Sequence, residues 1–100
     1  MDYSNLEGYI FLDGQLVKWS EAKLHVLSHG LHYASSVFEG ERVYGSKVFK
    51  EEDHTNRLIK SANTLGFNIP YNSNEISSIR KEVLKANKIE DAYIRPVAWR

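Results

Sequence analysis

The sequence predicts an α+β domain, with an antiparallel sheet of about four to six strands and two helices packed on one face. Three observations support this fold class. The 100 residues suit one domain of ordinary size. Short runs of β-branched and aromatic residues, separated by turn residues, indicate strands. Two segments, beginning near Glu51 and Asn74, place apolar residues at helical spacing.

Four strands are predicted in the first half of the chain, at residues 9–12, 15–19, 37–44 and 47–50. The first two form a hairpin around Asp13-Gly14, because both central positions of a type I′ turn need positive φ. The third strand places Glu39, Glu41 and Val43 on one face, since side chains alternate along a strand. Between the strand pairs, residues 20–22 favour a helical turn. Residues 29–36 have no clean period and are predicted as mostly loop.

Two helices and a last strand are predicted in the second half. The first helix begins at Glu51, where acidic residues suit the positive end of the helix dipole, and stops at Gly66. Asn74 is the predicted N-cap of the second helix. The solvated face of that helix carries Arg80, Lys81, Lys85 and Lys88. Residues 91–100 return to an alternating strand pattern, and the chain stops inside it. We therefore expect the 100 residues, a single domain, to be the N-terminal portion of a longer protein.

Composition argues against several classes of function. Thirteen basic and thirteen acidic residues cancel, so the net basic footprint of a nucleic-acid binder is missing and no such partner is expected. The chain has no cysteine, which excludes disulfide scaffolds, thiolate metal sites and cysteine nucleophiles and is compatible with a reducing cytoplasm. No apolar run approaches the ~18–20 residues of a membrane span, so no membrane partner is expected.

Three groups of side chains suggest chemistry but have ordinary explanations. The first is a set of histidines at i, i+4 and i+7, namely His25, His29 and His32. On a helix, the three side chains would share one face and could chelate a metal. The HExxH pattern is absent, however, and a metal site also needs the right geometry around its ligands. We therefore expect hydrogen-bonded loop histidines and no metal site. Ser35-Ser36 lies between His32 and Glu39, so the sequence contains the residue types of a Ser–His–acid catalytic triad. The GxSxG motif of a nucleophile elbow is missing, so no triad is expected. The eight lysines are interpreted as solvated surface residues, whereas a catalytic lysine needs burial or a cationic neighbour.

Two sites indicate anion binding more specifically. Arg57 lies beside the apolar stripe of its helix, so its guanidinium should emerge at the rim of the core and meet a carboxylate or phosphate. A pair with Asp53, four residues earlier, is an equal alternative. Tyr93 and Arg95 lie two apart on one strand and face the same side, which makes an edge for a carboxylate. Spacing alone favours the alternative for this pair, a cross-strand salt bridge with stacking.

Five segments together resemble the N-terminal domain of the class IV (fold type IV) pyridoxal-phosphate aminotransferases, and are most similar to the branched-chain amino-acid group. They are YIFLDG at 9–14, AKLHVLSHGLHY at 22–33, SVFEG at 36–40, HTNRL at 54–58 and AYIRP at 92–96. They cover nearly the whole chain in the family's order and spacing. The HY and VFEG elements resemble the branched-chain group specifically. Relatives that act on D-amino acids or cleave aminodeoxychorismate keep HxxRL but differ there.

The resemblance implies roles for five residues. Arg57 would contact the phosphate of the cofactor, pyridoxal 5'-phosphate. Phe38 would line the pocket for the substrate side chain, and Tyr33 would complete that pocket from the neighbouring subunit. Tyr93 and Arg95 would lie near the carboxylates of the substrate, with Arg95 at the distal carboxylate of glutamate. The chain departs from close members of the family in small ways, such as Ala34-Ser35, where a glycine is frequent.

The resemblance also implies the reaction and what these residues lack. The parent would be a cytoplasmic homo-oligomer that transfers an amino group between leucine, isoleucine or valine and 2-oxoglutarate. In the family, the Schiff-base lysine, the acid on the pyridine nitrogen and the main phosphate cup come from the C-terminal domain. No residue here is therefore expected to be catalytic, and the chain alone is expected to be inactive without tightly bound cofactor. The alternatives are a D-amino-acid aminotransferase or aminodeoxychorismate lyase relative, and a free-standing, non-catalytic binding module.

Overall fold

The computed structural model of the protein describes residues 6–100. Within these residues it contains seven strands, a 3₁₀ turn and three helices. The strands are β1 (Tyr9–Leu12), β2 (Gln15–Lys18), β3 (Ser36–Phe38), β4 (Glu41–Tyr44), β5 (Lys47–Val48), β6 (Ala92–Ile94) and β7 (Val97–Trp99). The helices are α1 (His29–Tyr33), α2 (Glu51–Thr64) and α3 (Ser73–Asn87), and the 3₁₀ turn spans Trp19–Glu21. No helix in the described part is long and apolar enough to cross a membrane.

Every strand pairing in the described residues is antiparallel, which confirms the α+β class. Hydrogen bonds divide the strands into a β1–β2 hairpin, a β3–β7 pair and a β5–β4–β6 sheet, rather than one continuous sheet. The hairpin turn has positive φ at Asp13 and Gly14, as predicted. Each single strand predicted over 37–44 and 91–100 is in fact two strands, interrupted at Glu39-Gly40 and at Arg95-Pro96.

These two interruptions lie opposite each other. Phe38 pairs with Val97 before the break and Glu41 pairs with Ile94 after it, in the same register. The β3–β7 and β4–β6 pairs therefore form one long two-stranded ribbon with a gap in its ladder. Pro96 has no N–H to donate, but its carbonyl still accepts from Glu39 N at 3.1 Å, so the ribbon stays paired across the gap.

The core lies between β4 and the two long helices. Its buried apolar residues are Val43, Leu58, Ala62, Ile76 and Leu84. A buried ion pair adjoins them: Arg80 Nε and Nη2 donate to Glu41 Oε1 and Oε2, each at 2.8 Å, and Arg80 is only 3% exposed. The predicted solvated position of Arg80 is therefore wrong. Its partner lies 39 residues away on β4, so helical periodicity alone does not indicate it.

Helix ends follow local hydrogen bonding. α2 stops as predicted at Gly66, which has a φ of +84°, while Phe67 N donates to Ala62 O at 3.1 Å. The predicted N-cap of α3 at Asn74 is wrong, because the cap is Asn72. Asn72 Oδ1 accepts from Glu75 N at 2.9 Å, and Glu75 Oε1 accepts from Asn72 N at 2.9 Å. This reciprocal capping box starts the helix two residues earlier.

Helix α1 corrects the loop predicted for residues 29–36. Five residues, His29–Tyr33, form a little more than one helical turn, which is too short to show a sequence period. The C-cap is Ala34, whose φ of +56° places it in the left-handed region. Ala34 therefore holds a conformation that glycine adopts without strain.

Candidate functional site

The candidate site surrounds the gap in the ribbon. Phe38 and Glu39 come from the end of β3 and the link that follows, and Arg95 comes from the opposite interruption. His54 and Arg57 come from α2, one helical turn apart. Side chains alternate along the ribbon, so Glu39 faces α2 on one side while Phe38, Tyr93 and Arg95 are exposed on the other.

Glu39 is the centre of the first half of the site. Arg57 Nε donates to its two carboxylate oxygens at 2.8 and 3.1 Å, and Arg57 Nη2 donates to Oε1 at 2.7 Å. His54 Nδ1 lies 2.7 Å from the same Oε1. The Glu39 side chain is 6% exposed, whereas that of Arg57 is 66% exposed. A buried carboxylate thus holds the inner edge of a guanidinium whose outer part reaches the surface.

Glu39 and Arg57 stabilise each other's charged forms. The hydrogen bonds from Arg57 hold the pKa of the Glu39 carboxyl below its ordinary value, although burial acts in the opposite direction. Glu39 in turn raises the pKa of Arg57. The ion-pair partner of Arg57 is therefore Glu39 and not the alternative, Asp53. Among residues 6–100, none accepts a hydrogen bond from Arg57 Nη1, so this amino group remains available to an anion.

Arg95 is the centre of the other half. Its Nη2 donates to Tyr93 Oη at 2.9 Å, and its Cζ lies 4.4 Å from the centroid of the Phe38 ring across the ribbon. Tyr93 and Arg95 thus face the same side, as their spacing predicts. The alternative interpretation expected both stacking and a cross-strand salt bridge. Arg95 does stack on an aromatic ring, but no acidic side chain of residues 6–100 lies within ion-pair distance of it. This cation is exposed and backed by an aromatic face.

Gly40 explains how Tyr93 reaches this position. A Cβ on Gly40 would overlap Tyr93 Oη and lie 2.9 Å from Cζ of the same ring. Only glycine lets the phenol lie against the backbone of the β3–β4 link. Gly40 is therefore part of the structure that directs Tyr93 Oη toward Arg95.

Tyr33 lies outside this cluster. It is on α1, 73% exposed, and its ring contacts are with His29, at 4.6 Å between centroids, and His32. The structure therefore does not bring Tyr33 onto Phe38 within one chain. The role that the resemblance implies for Tyr33, in a pocket of the neighbouring subunit, stays a prediction.

The other candidates bond locally. His25 Nδ1 accepts from Leu27 N at 3.0 Å, and His32 Nε2 lies 2.8 Å from Val26 O. His29 Nδ1 lies 2.6 Å from Ser35 Oγ. No group of three or more histidines and carboxylates able to hold a metal occurs within the described residues.

The residue types of a Ser–His–acid triad are present, but these side chains do not come together as a triad. Ser35 contacts His29 rather than His32, and Glu39 contacts α2 instead. All eight lysines are exposed, as predicted: Lys18, Lys23, Lys47, Lys50, Lys60, Lys81, Lys85 and Lys88.

Sequence reasoning did not identify Glu39 as the partner of Arg57. A signal for it existed, because the alternation over 37–44 places Glu39 and Glu41 on the same face as Val43. Carboxylates on a buried face need charged or hydrogen-bonding partners, and both find an arginine on a helix. The identity of those arginines is a long-range property that one strand pattern does not contain.

Comparison with known proteins gives a consistent result. The family described as amino-transferase class IV matches residues 36–100. A probable branched-chain-amino-acid aminotransferase of Rickettsia bellii is 53% identical over 91 residues, covering 91% of this chain and 32% of that protein. A branched-chain-amino-acid aminotransferase of Pseudomonas aeruginosa is 41% identical over 103 residues, covering 99% of this chain and 34% of that protein.

Solved structures agree with the sequence relatives. The branched-chain amino acid aminotransferase from Escherichia coli has a TM-score of 0.89 at 38% identity, over 94% of this chain and 33% of that one. The T.th. branched-chain amino acid aminotransferase complexed with N-(5'-phosphopyridoxyl)-L-glutamate has a TM-score of 0.87 at 41% identity, over 93% and 33%. The chain spans about one third of the length of the relatives that it matches.

Proposed function

The chain belongs to the class IV aminotransferase family, and we propose that it forms one wall of the active site of a branched-chain amino-acid aminotransferase. The reaction would move an amino group between leucine, isoleucine or valine and 2-oxoglutarate. The proposal rests on two arginines that lie at one gap in the ribbon. The exposed Arg57 is hydrogen-bonded to the buried carboxylate of Glu39, and Arg95 lies over the aromatic face of Phe38. Because the chain matches one third of its relatives, the remaining walls would come from the rest of a longer protein.

The cofactor would be pyridoxal 5'-phosphate, held here through its phosphate by Arg57. Two solved relatives are described as complexes with a phosphopyridoxyl glutamate and with pyridoxamine 5'-phosphate. The Arg57 side fits such a group, because its Nη1 amino group is not used within the described chain and a phosphate is best held by charge-assisted hydrogen bonds. When bound, this cofactor supplies an electron sink for the chemistry at the substrate's α-carbon.

The substrate would meet the Arg95 side. A branched aliphatic side chain needs an apolar, aromatic surface, and Phe38 supplies one while Tyr33 would supply another in a neighbouring subunit. Glutamate and 2-oxoglutarate carry a second carboxylate, and Arg95 stands over Phe38 without an acidic partner among residues 6–100. One site can thus accept an apolar side chain on the ring or a carboxylate on the guanidinium. Tyr93 fixes the guanidinium through its phenol.

We do not propose that the residues of this chain catalyse the reaction by themselves. A Schiff-base lysine needs burial or a cationic neighbour to lower its pKa, and every lysine in this chain is exposed. We therefore propose that the covalent step depends on a lysine outside these 100 residues, so the chain alone is inactive and holds the cofactor weakly. We also propose that the full protein acts in the cytoplasm as a homo-oligomer. Exposed apolar side chains before and within α1 support an oligomer surface: Leu24, Val26, Leu27 and Leu31.

The test uses the full-length protein and compares its two half-reactions. Arg95→Ala should slow the half-reaction with glutamate by about 10- to 100-fold, the size of a lost charged hydrogen bond, and the half-reaction with leucine much less. Single-turnover rates are followed by the absorbance of the cofactor. Lys47→Ala, an exposed cation on β5, is the control and should change neither rate. Equal losses with glutamate and leucine would leave Arg95 as a structural residue and contradict the proposed substrate site.

A further inference from the structure

We propose that Glu39 is a positioning residue that fixes the Arg57 guanidinium for the phosphate of the cofactor. The inference rests on the proposed function, because it supposes that Arg57 meets that phosphate. Glu39 lies in the link between β3 and β4, and its carboxylate contacts His54 and Arg57 on α2. Its effect would be exerted entirely through Arg57.

The side chains of Arg57 and Glu39 differ in exposure. An arginine that is 66% exposed has several rotatable bonds and no reason to keep one orientation. Here, hydrogen bonds of 2.7, 2.8 and 3.1 Å tie its Nε and Nη2 to one carboxylate. That carboxylate is 6% exposed, so it offers a fixed support. The guanidinium is thereby held in place before any anion arrives, which reduces the ordering cost of binding.

Glu39 is itself held from two directions. Its backbone N–H donates to Pro96 O at 3.1 Å across the ribbon, and its Oε1 lies 2.7 Å from His54 Nδ1. His54 lies on α2 one turn before Arg57 and is mostly buried. The carboxylate therefore connects the ribbon to the helix, and the direction of Arg57 is set by both elements rather than by its own helix.

Arg57 has more N–H donors than Glu39 uses. A guanidinium has five N–H groups, one on Nε and two on each Nη. Glu39 engages the edge formed by Nε and Nη2. Both N–H groups of Nη1 have no partner among residues 6–100, while Nη2 also lies 3.4 Å from His54 Nδ1, so a phosphate can contact Arg57 through Nη1. Glu39 and a phosphate can therefore bind Arg57 at the same time on different edges.

The negative charge of Glu39 makes the direction of the change in phosphate affinity informative. A carboxylate beside Arg57 repels an incoming phosphate, so removing only this charge should tighten binding. If Glu39 instead serves by positioning, removing it should weaken binding despite the lost repulsion. The direction of the change thus separates the two effects.

The experiment measures the dissociation constants of pyridoxal 5'-phosphate and of pyridoxal, which has no phosphate, on the full-length protein freed of cofactor. Glu39→Gln should weaken binding of the phosphate form by about threefold to tenfold, the factor that ordering one long side chain is worth, and leave pyridoxal unchanged. In an Arg57→Ala background the same substitution should have no further effect. Asp53→Asn is the matched control, because it removes a negative charge one turn before Arg57 without removing a hydrogen bond. It should leave the phosphate form bound equally or slightly more tightly.

Each failure has its own meaning. Unchanged or tighter phosphate binding in Glu39→Gln overturns the positioning role, as does an equal loss for pyridoxal, which would indicate general damage to the fold. If Arg57→Ala binds pyridoxal 5'-phosphate normally, the proposed function of Arg57 fails instead. If Glu39→Gln does not fold, His54→Asn tests the same support and should give a smaller loss confined to the phosphate form. Equal binding of that form by His54→Asn and the unmodified protein would then overturn the inference.

Discussion

Replacing Glu41 by glutamine should destabilise this chain more than any exposed charge substitution. Glu41 is fully buried on β4 and is the counter-ion of Arg80, which is 3% exposed on α3. Glutamine has nearly the same shape but keeps only one acceptor oxygen, and its amide NH2 would face an N–H of Arg80, so the change removes the charge and one hydrogen bond. The Arg80 guanidinium then stays in the core without its carboxylate, and a buried charge without a partner is costly.

The magnitude follows from the contacts that survive. Removing one partner of a buried ion pair typically costs about 3–5 kcal/mol. Arg80 Nη1 retains its hydrogen bond to Thr55 Oγ1 at 2.6 Å and its neighbour Glu51 at 3.5 Å, so we expect the lower end, about 3 kcal/mol. A domain of this size is stable by only about 5–15 kcal/mol, so the loss would be a large part of the total.

Urea unfolding followed by tryptophan fluorescence measures this loss as a lower midpoint at constant slope. Glu51→Gln is the control, because Glu51 is 30% exposed and its contact with Arg80 is long, so its loss should cost less than about 1 kcal/mol. Replacing both members of the pair, Glu41→Leu with Arg80→Met, should recover much of the loss, since no charge is then buried. A cost for Glu41→Gln no larger than that for Glu51→Gln would refute this reasoning.

Three further outcomes are expected for the fold and the site. Gly40→Ala should displace the half-exposed Tyr93 ring and move its phenol away from Arg95, at a cost of less than about 1 kcal/mol of unfolding free energy, which urea titration and the proton spectrum of the ring would show. The Glu39 carboxyl has a pKa lowered from its ordinary 4.5, so the stability it contributes is present above that pH and disappears as the pH falls through the lower folded value. The stability advantage over Glu39→Gln should therefore shrink in acid, and an advantage independent of pH would contradict the pair. Asn72→Ala should cost about 1 kcal/mol of stability and Asn74→Ala much less, because only Asn72 caps α3.

Local patterns predicted the elements that depend on neighbouring residues. The Asp13-Gly14 turn needs only two residues with positive φ, and the end of α2 needs only Gly66 after an apolar stripe. The cap of α3 was missed although its signal is also local, because Asn72 with Glu75 three residues later is a capping box. The pattern over 37–44 indicated the right faces but not the gap, which forms where Pro96 on the opposite strand removes a donor.

The site was predicted less completely than the fold, for a physical reason. Spacing placed Arg57 at the rim of the core, and Tyr93 and Arg95 on one side of a strand, because these are properties of one element. The partner of Arg57 is 18 residues away on another element, so Asp53 on the same helix was an equal choice. The stacking of Arg95 on Phe38 depends in the same way on the pairing of β3 with β7.

The two buried glutamates connect the stability of the domain with its candidate site. Glu39 and Glu41 lie two apart, so a single alternation turns both inward, one toward α2 and the other toward α3. A shift of the ribbon by one residue would expose both carboxylates and bury Gly40 and Arg42 in their place, which leaves both helix arginines without partners. The register that satisfies Arg80 in the core is therefore the same register that brings Glu39 to Arg57. The buried ion pair of the core and the support of Arg57 by Glu39 therefore depend on one strand register, and neither can change independently of the other.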